Sequence, residues 1–304
     1  MLHFGQSEVY WECKELPFAS ELFPGGLDPW DSNVDTVPFD IVAQRPGTET
    51  ETVNWPRLAY QYNKCSLSYP VKDKFIALAA IAERVFATMK REWAAGLIKN
   101  HLPRSLLWSI TQTKTSPVSV WTGEYRAPTW SWLNIDGPVN IILKYPFDHP
   151  VNFMEGAEPS PEELLPWDNA VVKDLQIELL MPNNTFGPIK SARIVLEGRL
   201  FSEAFMKELH LCWKGEQVFK EGDDKYIKMR HVMDSQTFDG EMPFLFPIGR
   251  NWTIHGLFLK PEGESAEEVY SRLGYFEIDI GDVGAYWSTK QTEILGEPKT
   301  VTLI

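Results

Sequence analysis

Cysteine is scarce in this sequence, and its spacing argues against the structures that cysteine clusters build. The 304 residues contain three cysteines, Cys13, Cys65 and Cys212, which are far apart and form no C-x-x-C pair. A disulfide framework needs an even set of cysteines, and a structural zinc site needs closely spaced ligands. The six histidines also show no i, i+2 or i+4 pair. We therefore expect no disulfide framework and no metal site.

Long apolar runs are also missing. No stretch approaches the roughly 18 consecutive apolar residues of a membrane-spanning helix. The first residues, MLHFGQSE, contain no apolar core of the kind found in secretion signals. We expect no membrane partner and a cytoplasmic location.

Positive charge is in deficit. Lysine and arginine number 29 against 42 acidic residues, so the formal net charge is −13. A protein that binds the phosphate backbone of a nucleic acid needs a clustered basic face, and the basic clusters here are short. We expect no nucleic-acid partner.

The usual catalytic signatures are absent as well. The sequence has no G-x-S-x-G elbow, no P-loop and no G-x-G-x-x-G turn that opens a helix. The motifs therefore indicate no cofactor, and they leave any catalytic residues unknown.

Tryptophan and proline are abundant by contrast, with 12 and 22 copies. Residues 1–54 predict a strand over 1–14 followed by a Pro- and Gly-rich segment that wraps the surface. Residues 55–104 predict a helical segment with helices at 55–62, 73–90 and 91–101, the last ended by Pro103. In the second helix Phe75, Leu78, Ala82, Val85 and Met89 form the apolar stripe, and Lys74 is predicted to lie outside it.

Residues 105–304 predict a large antiparallel β unit. Short aromatic or β-branched runs follow one another between turn residues, and many alternate apolar with polar positions. The predicted strands cover residues 105–110, 118–122, 128–133, 139–145, 175–180, 192–200, 208–214, 226–233, 242–248, 254–260, 273–280 and 301–304. The expected fold class is α+β, with a short helical segment packed on an antiparallel sandwich-like or barrel-like unit as one continuous body.

The stretch from residue 124 to 139, EYRAPTWSWLNIDGPV, is the most unusual in the chain. If residues 128–133 form a strand, Trp130 and Trp132 share one face. Two such indoles either close the core or form an aromatic wall of a pocket. The candidate ligand- or partner-binding residues are Tyr125, Arg126, Trp130, Trp132 and Asp136.

The same stretch carries a family resemblance. YRAPTWSWLNIDGPV resembles the Y-x-A-P-S-W-S-W-A-S-x-D-G-x-V pattern of fungal heterokaryon-incompatibility (HET) proteins. KDKFIALAAIAERV (72–85) and EWAAGLIKNHLPRSLLW (92–108) resemble two further segments of that family, and the matches keep their order from residue 2 to residue 304. The motifs of the family's Toll/interleukin-receptor-like HET domain are not found, so the chain resembles the family's C-terminal region alone. Thr129 replaces a serine of the pattern, and Leu133-Asn134 replaces Ala-Ser.

The resemblance implies a binding or regulatory protein of fungal self/non-self recognition, without the half to which cell-death signalling is attributed. Such a chain is not expected to hydrolyse NAD. The alternative is a small-molecule enzyme of a fungal secondary-metabolite pathway, similar to a cyclase or isomerase, that holds an apolar substrate in a Trp-lined pocket. The expected partner is accordingly either another protein or a small apolar ligand.

Overall fold

The computed structural model describes residues 2–4, 9–11, 55–65, 67, 69–111, 125–141, 169–213, 218–219, 226–234, 242–250, 253–263, 268–280 and 294–304. The predicted wrapping segment and the predicted strand over 118–122 lie outside these residues. Near the N-terminus the chain forms two short strands, β1 (Leu2–Phe4) and β2 (Val9–Trp11), which pair antiparallel. The prediction of one strand over residues 1–14 was therefore wrong.

Two of the three predicted helices are present. Helix α1 spans Trp55–Lys64 and helix α2 spans Pro70–Met89. Proline at the first position of α2 suits the fixed φ of the helix start. Lys90 caps the C-terminal end of the helix with a left-handed backbone, at φ of 51°. Neither α1 nor α2 is long and apolar enough to cross a membrane, and the same holds for every other helix of the described residues.

The third predicted helix, over 91–101, is wrong. Its place is taken by a hairpin of β3 (Trp93–Ala94) and β4 (Leu97–Ile98), then by a short 3-10 turn at Lys99–His101. Gly96 explains the difference, because its φ of 88° is incompatible with a right-handed helix. Its carbonyl accepts hydrogen bonds from two buried indoles, Trp55 Nε1 at 2.9 Å and Trp132 Nε1 at 2.7 Å.

The predicted strand over 128–133 is also wrong. The strands on either side, β5 (Trp108–Ile110) and β6 (Val139–Ile141), pair with each other. Between them residues 125–138 form turns and a 3-10 helix at Trp132–Asn134. The Ser131 hydroxyl accepts the Leu133 N–H at 3.1 Å and donates to the Ala95 carbonyl at 2.6 Å. Such side-chain bonds to the backbone compete with an extended strand.

The β unit is an eight-stranded sheet of mostly antiparallel strands in the described part of the chain. Along its main path the order is β11-β12-β13-β14-β8-β7, with β10 paired to β13 and β9 paired to β10. One contact, between β13 and β14, is parallel. The strands are β7 (Ala170–Leu179), β8 (Ile189–Phe201), β9 (Val218–Phe219), β10 (Tyr226–Met233), β11 (Phe244–Arg250), β12 (Thr253–Pro261), β13 (Val269–Ile280) and β14 (Leu295–Leu303).

This sheet curls without closing into a barrel among the described strands. Its two ends approach each other beside Asn169, whose Nδ2 donates to the carbonyls of Arg199 on β8 and Pro247 on β11 at 2.8 and 2.7 Å. Gly198 permits the approach, because a Cβ there would lie 3.0 Å from the Phe246 ring. The sheet-dominated α+β fold predicted from the sequence is confirmed.

Residues 208–213 are helical, which corrects the strand predicted over 208–214. Helix α3 spans Glu203–Trp213 and buries Phe205, Leu209 and Cys212, which are spaced as on one helix face. These residues and the aromatic side chains of β12 and β13 form a smaller core on one face of the sheet. The larger core lies on the opposite face of the sheet, where side chains of α1, α2 and the 125–136 segment pack against the strands. The helical segment therefore packs directly on the sheet.

Candidate functional site

The two tryptophans of the sequence pattern lie in the larger core. Trp130 and Trp132 are both 0% exposed. Trp132 packs against Trp55 and Tyr62, with ring centroids 6.2 and 6.5 Å apart. The backbone of Trp130 accepts the Trp108 indole N–H at 2.9 Å. Of the two interpretations left open by the sequence, the structure therefore supports the core.

Two other candidate residues, Arg126 and Asp136, form an ion cluster with Lys74, in which both cations are buried and Asp136 is partly exposed. Arg126 Nη2 lies 2.8 Å and Lys74 Nζ 3.6 Å from Asp136 Oδ1. Lys74 Nζ also donates to Asn63 Oδ1 at 2.8 Å and to the Ile135 carbonyl, and it lies 5.8 Å from the Trp132 ring centroid. The cluster ties α1, α2 and the 125–136 segment together.

Lys74 is buried, contrary to the prediction that it lies outside the apolar stripe of α2. Its spacing of four and eight residues from Leu78 and Ala82 places it on that stripe. The pKa of Lys74 is lowered from 10.5 to about 7, first by burial and second by the charge of Arg126, while Asp136 acts in the opposite direction. Burial likewise raises the pKa of neighbouring Tyr62 to about 12.

This lowered pKa predicts that the protein becomes more stable as pH rises above neutrality. Between pH 7 and 10.5 the unfolded lysine keeps a proton that folded Lys74 releases, so alkali favours the folded state. We expect the free energy of unfolding to rise by roughly 2 kcal/mol between about pH 7.5 and about pH 9.5, as measured by urea unfolding.

The control for this prediction is Lys74→Met, which removes the titrating amine while keeping an unbranched side chain. The variant should show a flatter dependence of stability on pH over the same range. Parallel curves for the wild type and Lys74→Met would contradict the assignment to Lys74.

Tyr125 lines a different feature, an open groove on the surface. The groove has a volume of about 930 Å³, which is within the range of ligand-binding clefts. It lies between the 125–134 segment, the paired strands β7 and β8, and the C-terminal residue. Its lining consists of Tyr125, Ala127, Thr129, Asn134, Gln176, Ile177, Glu178, Ser191, Ala192, Arg193 and Ile304. We call it the Tyr125 groove.

The register of β7 and β8 places polar and apolar side chains on opposite faces of the ladder. Gln176 pairs with Arg193, Ile177 with Ala192, and Glu178 with Ser191 across the β7–β8 ladder. Because neighbouring side chains on a strand alternate between faces, Ile177 and Ala192 share one face. They are only partly buried, so their apolar surface remains available to a ligand.

Tyr125 supplies the aromatic side chain of the groove lining, and it is 53% exposed. Burial of its remaining surface raises the pKa of its phenol, while a hydrogen bond with the Ala192 backbone opposes this shift. Much of the Tyr125 ring lies in solvent, as is common for residues at binding surfaces.

The ionisable side chains of the groove lining are those of Tyr125, Glu178 and Arg193. The lining includes no histidine and no cysteine, so no imidazole base or thiol faces a ligand there. No cluster of three or more potential metal-ligating residues occurs within the described ranges. The chemistry that the groove offers is contact with apolar surface plus hydrogen bonding.

Sequence reasoning therefore placed one residue, Tyr125, in the groove and missed Asn134 and Arg193. Asn134 was visible only as a departure from the HET pattern. Arg193 lies nearly 60 positions further along the chain, and nothing in its local sequence marks it. Comparisons with protein-family models, with curated proteins and with solved structures found no match to this chain.

Proposed function

We propose that this chain is a non-catalytic binding protein that engages a segment of another protein in the Tyr125 groove. The observation that carries the proposal is an open cleft of about 930 Å³ with an exposed aromatic ring and partly exposed apolar strand residues. Exposed aromatic anchors of this kind are enriched at protein interfaces.

The biological setting follows from the resemblance in sequence. The segment that carries Tyr125 is the part of the chain most similar to the HET pattern, and Tyr125 is the tyrosine of that pattern. We propose a regulatory role in fungal self/non-self recognition on this ground, because a fold alone does not determine function.

The alternative, an enzyme that folds a substrate in a Trp-lined pocket, has less support. Trp130 and Trp132 are fully buried and contribute nothing to the lining of the Tyr125 groove. An exposed apolar surface, such as that of the groove, favours a protein partner.

The proposal predicts that filling the groove abolishes peptide binding. A library of random octapeptides displayed on phage would be selected against the purified chain, and the enriched peptide would be synthesised. Ala192→Trp places an indole in the groove and should weaken binding at least about tenfold, since it removes the contact surface.

The matched control is Leu211→Trp. Leu211 is 40% exposed on α3 and does not line the groove, so this variant should bind like the wild type. Failure to enrich any peptide, or equal binding by Ala192→Trp, would contradict the proposed function.

A further inference from the structure

We infer that Arg126 and Asp136 are positioning residues of the Tyr125 groove, which hold Tyr125 and Asn134 in the groove wall by joining the two ends of the 125–136 segment. This inference rests on the proposed function and states what determines the shape of that same site. It assigns a role to two candidate residues that do not line the groove.

One wall of the groove comes from a segment without strand pairing. Residues 125–134 form turns and one 3-10 helix. The described backbone hydrogen bonds within this segment run back only three positions along the chain. Such local bonds do not set the distance between the two ends of the segment. Four of its residues line the groove, namely Tyr125, Ala127, Thr129 and Asn134.

The middle of the segment is attached to the turn between β3 and β4. The Ser131 hydroxyl donates to the Ala95 carbonyl at 2.6 Å, and Trp132 Nε1 donates to the Gly96 carbonyl at 2.7 Å. Tyr125 and Asn134 lie on either side of these two anchored residues. The positions of Tyr125 and Asn134 therefore depend on contacts made near the ends of the segment.

Arg126 makes the contacts that join these ends. Its Nε donates to the Leu133 carbonyl at 2.7 Å, and its Nη2 lies 2.8 Å from Asp136 Oδ1. Arg126 directly follows Tyr125, and Leu133 directly precedes Asn134. Because a guanidinium is planar and its donors have fixed directions, the two contacts hold both backbone positions of the groove wall at once.

Arg126 and Asp136 act through their neighbours and not by touching a ligand. Their side chains are 3% and 28% exposed, and neither lines the groove. Lys74 attaches the same end of the segment to α2, since its Nζ donates to the Ile135 carbonyl and lies 3.6 Å from Asp136 Oδ1. Loss of the Asp136 carboxylate therefore removes an anion from beside two buried cations, which is costly.

A groove wall that is ordered in advance favours binding. A surface that already has its bound conformation loses less conformational freedom when the ligand arrives. Without the contacts of Arg126, the ligand itself would have to order Tyr125 and Asn134. Variants that break these contacts should therefore bind more weakly even when they remain folded.

The first test needs no ligand. Fluorotyrosine would be incorporated in place of Tyr125 in the full chain, and its fluorine NMR resonance would be compared between the wild type, Arg126→Gln and Asp136→Asn. We expect both variants to shift or broaden the resonance. The double variant should change it by less than the sum of the single effects, because the two residues share one contact.

Two controls separate positioning from a general loss of stability. Arg199→Gln makes the same substitution at an exposed arginine of β8 that does not line the groove. Phe205→Leu loosens the smaller core, where Phe205 is 3% exposed. Neither control should move the resonance. A change in Phe205→Leu as large as that in Arg126→Gln would overturn the inference, because loss of stability alone would then explain it.

The second test uses the peptide selected for the proposed function. Dissociation constants would be measured by fluorescence polarisation for the same variants, after circular dichroism has shown that they fold. We expect Arg126→Gln and Asp136→Asn to bind at least about fivefold more weakly than the wild type, and the two controls to bind like the wild type. If Arg126→Gln does not fold, Asp136→Asn decides, because it preserves the size of a partly exposed side chain.

The two tests distinguish failure of this inference from failure of the proposed function. An unchanged resonance or a wild-type affinity in the folded Arg126 and Asp136 variants would overturn the inference and leave the proposed function standing. A displaced resonance in a chain for which no peptide can be selected would contradict the proposed function but support the role of Arg126 and Asp136 in holding Tyr125.

Discussion

Replacement of Trp132 by alanine is expected to lower the free energy of unfolding by about 3–5 kcal/mol, the range for large-to-small changes in a core. The Trp132 side chain is fully buried between Trp55 and Tyr62. Its removal leaves a cavity and deprives the Gly96 carbonyl of one of its two indole donors. The measurement is urea unfolding followed by circular dichroism at neutral pH.

The control Trp132→Phe separates packing from hydrogen bonding. Phenylalanine keeps an aromatic ring but lacks the indole N–H, so we expect a loss of stability well below that of the alanine variant. An alanine variant as stable as the wild type would show that Trp132 is not part of a close-packed core.

Asp234→Ala is expected to destabilise the protein by a similar amount, about 3–5 kcal/mol. The change leaves the guanidinium of Arg272 without its carboxylate partner. Arg272 Nε lies 2.8 Å from Asp234 Oδ2, and the Arg272 side chain is 0% exposed. Arg272 also stacks on the Trp108 ring at 3.5 Å and donates to the Leu106 carbonyl at 2.6 Å. An unpaired charge in this position disrupts the junction between β13 and the chain before β5.

A surface pair provides the comparison for the Asp234 variant. Lys173 and Glu197 lie 3.1 Å apart, but both side chains are nearly half exposed. Glu197→Gln should therefore change stability by no more than about 0.5 kcal/mol. If thermal unfolding gave the same small shift for both variants, the buried ion pair would not have the role assigned to it.

Much of the sheet could be predicted from alternation of apolar and polar residues. The predicted strands over 192–200, 254–260 and 273–280 lie within β8, β12 and β13. Periodicity also predicted α2. These elements are long and have one buried face, so the local pattern and the tertiary packing favour the same structure.

The errors occurred where tertiary contacts determine a short segment. Residues 91–101 are compatible with a helix, yet the Ala95–Gly96 turn supplies a carbonyl to two indoles that are distant in sequence. Residues 208–214 alternate like a strand, but the full helical face begins at Phe205, before that window. Short apolar runs do not distinguish helix from strand without such context.

The groove was harder to predict than the fold. Tyr125 stood out because it belongs to a recognisable pattern, whereas Asn134 and Arg193 become neighbours of the same cleft only through the docking of β7 and β8 on the 125–134 segment. Lys74 was misplaced because its charge was given more weight than its helical spacing. Lysine side chains are usually exposed at the surface, and only the buried groups around Lys74 show that this lysine is an exception.

The most direct test of a binding function in the Tyr125 groove is amide hydrogen exchange with and without the selected peptide. If the peptide occupies the groove, exchange should slow in residues 125–134, in 176–178 of β7 and in 191–193 of β8, while α3 remains unchanged. Because exchange reports local opening, protection confined to these segments would show that the peptide binds in the Tyr125 groove. Slower exchange in α3, with no change of exchange in β7 and β8, would contradict binding in the Tyr125 groove.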